Sequence, residues 1–200
     1  NEEARLRTLY QLELLDTPIE HNFEKITRLA KKIFSVPIVA ISLIDKERQW
    51  FKSVQGLDIK ETPRSESICS YTILNKEPLV IKDISLDPKF KDLPIAINPP
   101  HARFYAGCPI TMANDLNIGT LCLIDITPRE FTENDINCLK ELACFVKDEI
   151  TNHVNSFVVN YENKLLTDEL SKLQRVAAID PLTQLWNRVG VRKRSEERRV

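Results

Sequence analysis

Residues 103–125, RFYAGCPITMANDLNIGTLCLID, read as two strands joined by a polar turn, and their pattern decides the fold. In the second strand Ile118, Thr120, Cys122 and Ile124 share one face while Leu121 and Leu123 share the other, because strand side chains alternate. Both faces are therefore largely apolar. A strand with one wet face alternates apolar with polar, so this one is expected at the centre of a sheet. Helices should cover one side, and loops or a ligand the other.

The same logic extends upstream. Residues 36–45 form a strand with Val39, Ile41 and Leu43 on one face and Ile38, Ala40 and Ile44 on the other, which predicts a second central strand. Residues 48–55 return as a more amphipathic strand in which Trp50 and Phe51 point to opposite sides and Gly56 ends the run. Before these strands, residues 2–15 read as a helix through Leu6, Leu9 and Tyr10. A second helix should follow, with Thr17 as its cap, Pro18 at the first position and Glu20 closing a capping box. Its buried stripe reads Phe23, Ile26, Ala30 and Ile33.

Residues 65–74 read as a short helix carrying Ile68, Cys69 and Ile73, and residues 78–84 as a strand. The proline-marked stretch 85–102 is longer than an ordinary connection and suits a pocket cover. The element order predicts an α+β fold, a central antiparallel sheet flanked by helices.

Downstream, Thr132 and Asp135 form a helix cap, and neither proline nor glycine recurs until Pro181. Apolar residues from Ile136 through Leu139, Val146, Tyr161, Leu165 and Leu173 to Val176 recur at mostly three- and four-residue steps. One helix over residues 132–179 would be about 70 Å long at ~1.5 Å per residue, and its stripe suits a parallel dimer. The competing expectation is two helices broken at residues 152–160, where Asn152, Asn155 and Asn160 lower helix propensity. Asp180-Pro181 should end the helix and begin another.

These blocks resemble a known family. LLDTP at 14–18, ITRLAKKIF at 26–34, PIVAISLID at 37–45, RQWFKS at 48–53, ETPRSES at 61–67 and the hairpin RFYAGCPI…IGTLCLID are similar to the GAF domains that precede GGDEF diguanylate cyclase domains in bacterial signalling proteins. DPLTQLWNR at 180–188 is similar to the opening DxLTxLxNR motif of GGDEF domains, carried here by Asp180, Leu182, Thr183, Asn187 and Arg188. The resemblance implies a GAF sensory domain over 1–150, a helical, coiled-coil linker over 151–179 and the start of a GGDEF domain over 180–200. It further implies that GTP and magnesium serve that last domain, where two GTP would be condensed to cyclic di-GMP. No GGDEF sequence and no catalytic residue is identified in these 200 residues, and no cofactor is assigned to them.

Composition narrows the alternatives. With 42% hydrophobic and 28% charged residues the chain can build a core, and a net charge of -1 gives no reason to expect nucleic acid or an anionic membrane as partner. The longest apolar run falls well short of the roughly 20 residues of a membrane helix, so a cytoplasmic protein is expected. Three dispersed histidines without a CxxC or HxxxH pair argue against a metal site.

Strand direction and the resemblance together nominate a ligand pocket of Trp50, Phe51, Ile68, Cys69, Phe104, Tyr105, Cys108 and Cys122 for an unidentified small molecule. Arg64, Arg103 and Asp125 are polar candidates for ligand contact, with an Arg103–Asp125 ion pair as the structural alternative. Two other readings stay open: a ligand-free dimerisation module feeding a degenerate GGDEF domain, and a redox sensor using the cysteines.

Overall fold

The computed structural model describes residues 1–112 and 115–177, so the motif at 180–188 lies outside the described residues. Two units are distinguished, residues 1–152 and the segment from 153 onward.

The first unit is built on six antiparallel strands in the order β3-β2-β1-β6-β5-β4. These are β1 (Ile38–Ile44), β2 (Arg48–Gln55), β3 (Glu61–Pro63), β4 (Leu79–Ile81), β5 (Phe104–Met112) and β6 (Leu116–Asp125). As the apolar patterns required, β1 and β6 lie at the centre and are buried along nearly their whole length. They approach closely at Gly119, where an added Cβ would sit 2.0 Å from the Ser42 carbonyl oxygen. The short edge strand β3 was not read from the sequence; Pro63 restricts it to a sheet edge, since proline cannot donate to a ladder.

Helices α1 (Glu2–Gln11) and α2 (His21–Phe34) pack on one face of the sheet. On α2 the buried stripe is Phe23, Thr27, Ala30 and Phe34, while Ile33 is 48% exposed. The expected stripe is thus rotated toward Thr27, whose hydroxyl lies 2.8 Å from that of Ser53.

The expected cap is corrected as well. Helix α2 begins at His21 with Glu20 as its N-cap. Thr17 and Pro18 instead form a loop fastened by the Lys52 ammonium, which donates to Thr17 Oγ1 at 2.6 Å, to the Pro18 carbonyl at 3.2 Å and to the Glu20 carboxylate. A buried ammonium needs such partners, and this loop supplies three.

The opposite face carries α3 (Cys69–Thr72), two 3₁₀ turns (Arg64–Glu66 and Ile84–Leu86) and α4 (Pro94–Ile97), which lies within the long loop. Beyond the sheet, Thr132 and Asp135 cap α5 by reciprocal hydrogen bonds, the Thr132 N–H to Asp135 Oδ2 at 2.8 Å and the Asp135 N–H to Thr132 Oγ1 at 3.2 Å. Helix α5 then runs unbroken from Glu133 to Ala177. Leu139, Ala143, Val146 and Ile150 are buried within the first unit. In the second unit Tyr161, Leu165, Leu166, Leu170 and Leu173 are exposed. No helix among the described residues is long and apolar enough to cross a membrane.

Candidate functional site

The face of the sheet away from α1 and α2 encloses a cavity of about 260 Å³. Its apolar walls come from alternate strand positions, Ile38 and Ala40 on β1, Phe51 on β2 and Ile124 on β6, closed by Ile68 before α3. The long loop covers it with Pro94, Ile95, Asn98, Pro99 and Pro100. That stretch therefore takes the covering position expected of it.

Polar atoms enter at two places. On one wall the Ser67 hydroxyl donates to Gln49 Oε1, beside Thr62 and Glu66. At the floor Cys69, Tyr105 and Cys122 line the cavity together. Behind them stand the buried hydroxyls of Ser42 and Thr120, 2.9 Å apart, and of Thr72, 2.7 Å from the Tyr105 oxygen. The Tyr105 hydroxyl donates to Cys69 Sγ at 3.3 Å.

Each sulfur is shaped by this setting. Burial pushes the Cys69 thiol up, but hydrogen bonds from Cys122, Ser42, Thr120 and Tyr105 outweigh it and bring the group down to about 6. For Cys122 the hydrogen bond to Cys69 and burial act in the same direction, holding it well above the usual thiol value. Burial likewise raises the Tyr105 phenol well above 10, so it stays a proton donor. One sulfur is thus favoured as thiolate and its neighbour as thiol.

Of the nominated pocket residues, Phe51, Ile68, Cys69, Tyr105 and Cys122 meet at the cavity, whereas Trp50, Phe104 and Cys108 do not. Phe104 neighbours Tyr105 in the strand and so faces the other side, where its ring lies 5.5 Å from Phe131. Cys108 has the same parity as Phe104; burial, with Cys144 nearby, pushes its thiol up to about 12, away from thiolate chemistry. Trp50 faces α2, beneath the Lys52 ammonium.

A register shift complicates β2. Ile41 pairs with Ser53 but Ser42 pairs with Phe51, leaving Lys52 as an extra residue. Lys52 and Ser53 consequently both turn toward α2 and its preceding loop.

Two of the polar candidates, Arg64 and Asp125, have side-chain partners within the scaffold. Arg64 donates to Glu2 at 2.6 Å and to the Asp45 carbonyl at 3.1 Å. Beside it Arg48 joins Asp16 at 2.6 Å, Glu61 at 2.6 Å and Asp45 at 3.2 Å, so the charges of four separate sequence blocks converge in one structural network. Arg103 and Asp125, for which an ion pair was the structural alternative, meet through the main chain, the Arg103 N–H donating to the Asp125 carbonyl at 2.8 Å. The Asp125 carboxylate instead holds Arg129 at 2.5 Å and accepts from the Ile126 N–H. Sequence reasoning did not single out Ser42, Gln49, Ser67, Thr72 or Thr120; a hydroxyl amid otherwise apolar strands was the available signal at Ser42 and Thr120.

A sensory class of protein is defined by this arrangement of a covered cavity on an antiparallel sheet, and the family profile for the GAF domain matches residues 18–147. The chain belongs to the GAF domain family. It is 39% identical over 186 residues to a cyclic di-GMP phosphodiesterase of Pseudomonas aeruginosa, an alignment covering 90% of this chain and 32% of that protein. The chain therefore spans about a third of that relative.

Among solved structures it is similar to the free methionine-R-sulfoxide reductase of Neisseria meningitidis in complex with its substrate, with a TM-score of 0.56 and 21% identity over 78% of this chain and 93% of that one. It is also similar to the GAF domain of an Acinetobacter phosphoenolpyruvate-protein phosphotransferase, with a TM-score of 0.51 and 14% identity over 80% of this chain and 97% of that one. At these identities the structures establish the fold. The family places the chain as a GAF sensory domain of a signalling protein.

Proposed function

We propose that this GAF domain senses a small molecule or a chemical change in its cavity and sets, through α5, the turnover of cyclic di-GMP by a catalytic region that follows it. The observation that carries the reading is the helix described without a break from Glu133 to Ala177, which precedes in sequence the DPLTQLWNR stretch that begins at Asp180. The resemblance of that sequence to the start of GGDEF domains supports synthesis from two GTP with magnesium. The phosphodiesterase relative supports a second reading, in which hydrolysis of cyclic di-GMP is controlled.

The coupling element is a homodimer made by paired α5 helices. Exposed Tyr161, Leu165, Leu170 and Leu173 give that surface, and an apolar stripe of this kind is stable in water when a partner helix covers it. Occupancy of the cavity then favours one packing of the pair over another, a population shift. Open space in the cavity favours this reading over a ligand-free dimerisation module, whose core would be filled by its own side chains.

The test uses the full natural protein, assayed with GTP and magnesium and, separately, with cyclic di-GMP and magnesium. Turnover in one assay, altered by substitutions at the cavity, is the expected outcome. A folded protein inactive in both assays would sink the catalytic reading. A monomer by light scattering at micromolar concentration would sink the helix-to-helix coupling.

A further inference from the structure

We propose that Cys69 and Cys122 form a dithiol that reacts with small hydroperoxides entering the cavity and closes to a disulfide. Four observations carry it. Both sulfurs line the same cavity. Helix α3, which begins at Cys69, packs directly on β6, which carries Cys122. The Tyr105 hydroxyl donates to Cys69 Sγ at 3.3 Å, and the paired hydroxyls of Ser42 and Thr120 have one further proton to offer. The approach is apolar, through Ile38, Ile68, Ile95 and Ile124, which admits an uncharged oxidant more readily than an ion.

The hydroxyl bonding is self-consistent. The Tyr105 hydroxyl donates to Cys69 Sγ, and its oxygen lies 2.7 Å from the Thr72 hydroxyl, which holds the phenol beside the sulfur. Ser42 and Thr120 bond to each other with one proton, which leaves the second free to point at sulfur. Donors fixed in this way stabilise a thiolate, the reactive form of cysteine.

The reaction balances without a further reagent. The Cys69 thiolate attacks the distal oxygen of the hydroperoxide, forming an S–O bond and breaking the O–O bond. The leaving alkoxide takes up the proton that Cys69 released on ionising and departs as an alcohol, or as water from hydrogen peroxide. Cys122 sulfur then attacks the Cys69 sulfenic acid, forming the S–S bond and expelling the hydroxyl as water with the Cys122 proton. Two thiols are oxidised and one peroxide is reduced. Cys122, held as the thiol, suits the resolving role.

The full 200-residue chain, reduced and freed of reductant, is treated with one equivalent of hydrogen peroxide or of tert-butyl hydroperoxide. Thiols are then counted after denaturation and the peptides mapped. The expected result is loss of two of the five thiols, a Cys69–Cys122 linked peptide, and full recovery with dithiothreitol. With Cys122→Ser, dimedone should label Cys69; with Cys69→Ser, the linked peptide should vanish and Cys122 should stay reduced. All five thiols surviving in the wild-type chain while free glutathione in the same tube is consumed, or linkages that omit Cys69 or Cys122, would overturn the proposal. Because the wild-type map needs no variant, a misfolded substitution cannot obscure it. The proposal does not rest on the cyclic di-GMP reading, and its failure leaves that reading standing.

Discussion

The two faces of the sheet solve burial differently. Toward α1 and α2 the structure buries charge and pairs it within the chain: Lys52 with Glu20, Thr17 and Pro18, and Arg5 with Glu2 and the Ile44 carbonyl. Toward the cavity the buried polar groups are the hydroxyls of Ser42, Thr72, Tyr105 and Thr120 and the sulfurs of Cys69 and Cys122, with no salt bridge among them. Paired charges fasten a loop and a terminus in one geometry, whereas neutral donors beside a cavity can exchange partners with a guest. The first face is scaffold, and the second keeps room for chemistry.

The largest effect that would sharpen this contrast is in packing. Phe23→Ala, on the filled face, should cost about 3–5 kcal/mol in denaturant unfolding, whereas half-buried Phe51→Ala, on the cavity wall, should cost clearly less. Equal losses would break the comparison. Next comes Lys52→Ala, expected to cost about 2 kcal/mol because it removes the donor that Thr17 Oγ1, the Pro18 carbonyl and the Glu20 carboxylate share. Proteolysis within residues 14–20 should accelerate with it, and an unchanged cleavage rate would show that Lys52 is not the fastening.

A smaller change is expected from Tyr105→Phe. Losing one hydrogen bond among several should cost about 1 kcal/mol, while slowing alkylation of Cys69 by removing a donor to its sulfur. Unaltered alkylation would detach Tyr105 from the thiol. The smallest effect should be at Glu2, whose hydrogen bond with Arg5 outweighs partial desolvation and, with Arg64 adding to it, lowers the carboxyl from 4.5 to about 2. Because its folded value is depressed, its stabilisation is complete above 4.5 and is lost as the pH falls toward 2. Solvent screening keeps the amount below about 1 kcal/mol. Glu2→Gln should flatten the acid side of the stability profile slightly, and an identical profile would remove this link from the network.

The sheet was legible in the sequence because period-two alternation is strong in strands buried on both sides. Parity on β6 placed Cys122 and Ile124 together, and the structure keeps that. Parity also carried the information that Phe104 and Tyr105 cannot share a face, so Phe104 and Cys108 belonged with the helices. The bulge at Lys52 was illegible, since nothing in RQWFKS marks which residue drops out of register. On α2, Ile26 and Ile33 outweigh Thr27 by hydropathy, yet the hydrogen bond between Thr27 and Ser53 decides the rotation of the helix. Arg64 and Asp125 looked like ligand contacts because isolated polar residues in recurrent blocks stand out. Glu2, the partner of Arg64, lies in a segment that only the folded chain brings near, whereas Arg129, the partner of Asp125, stands four residues on, just past the end of the strand.

The walls of the cavity also act as a filter by sign. Among the residues lining it there is no lysine, arginine or histidine, and the single ionisable carboxylate is that of Glu66. An anionic phosphate entering there would shed its hydration shell, find no counter-ion and face a negative charge at the rim. Such a lining predicts poor binding of nucleotides on electrostatic grounds alone, and better binding of neutral molecules.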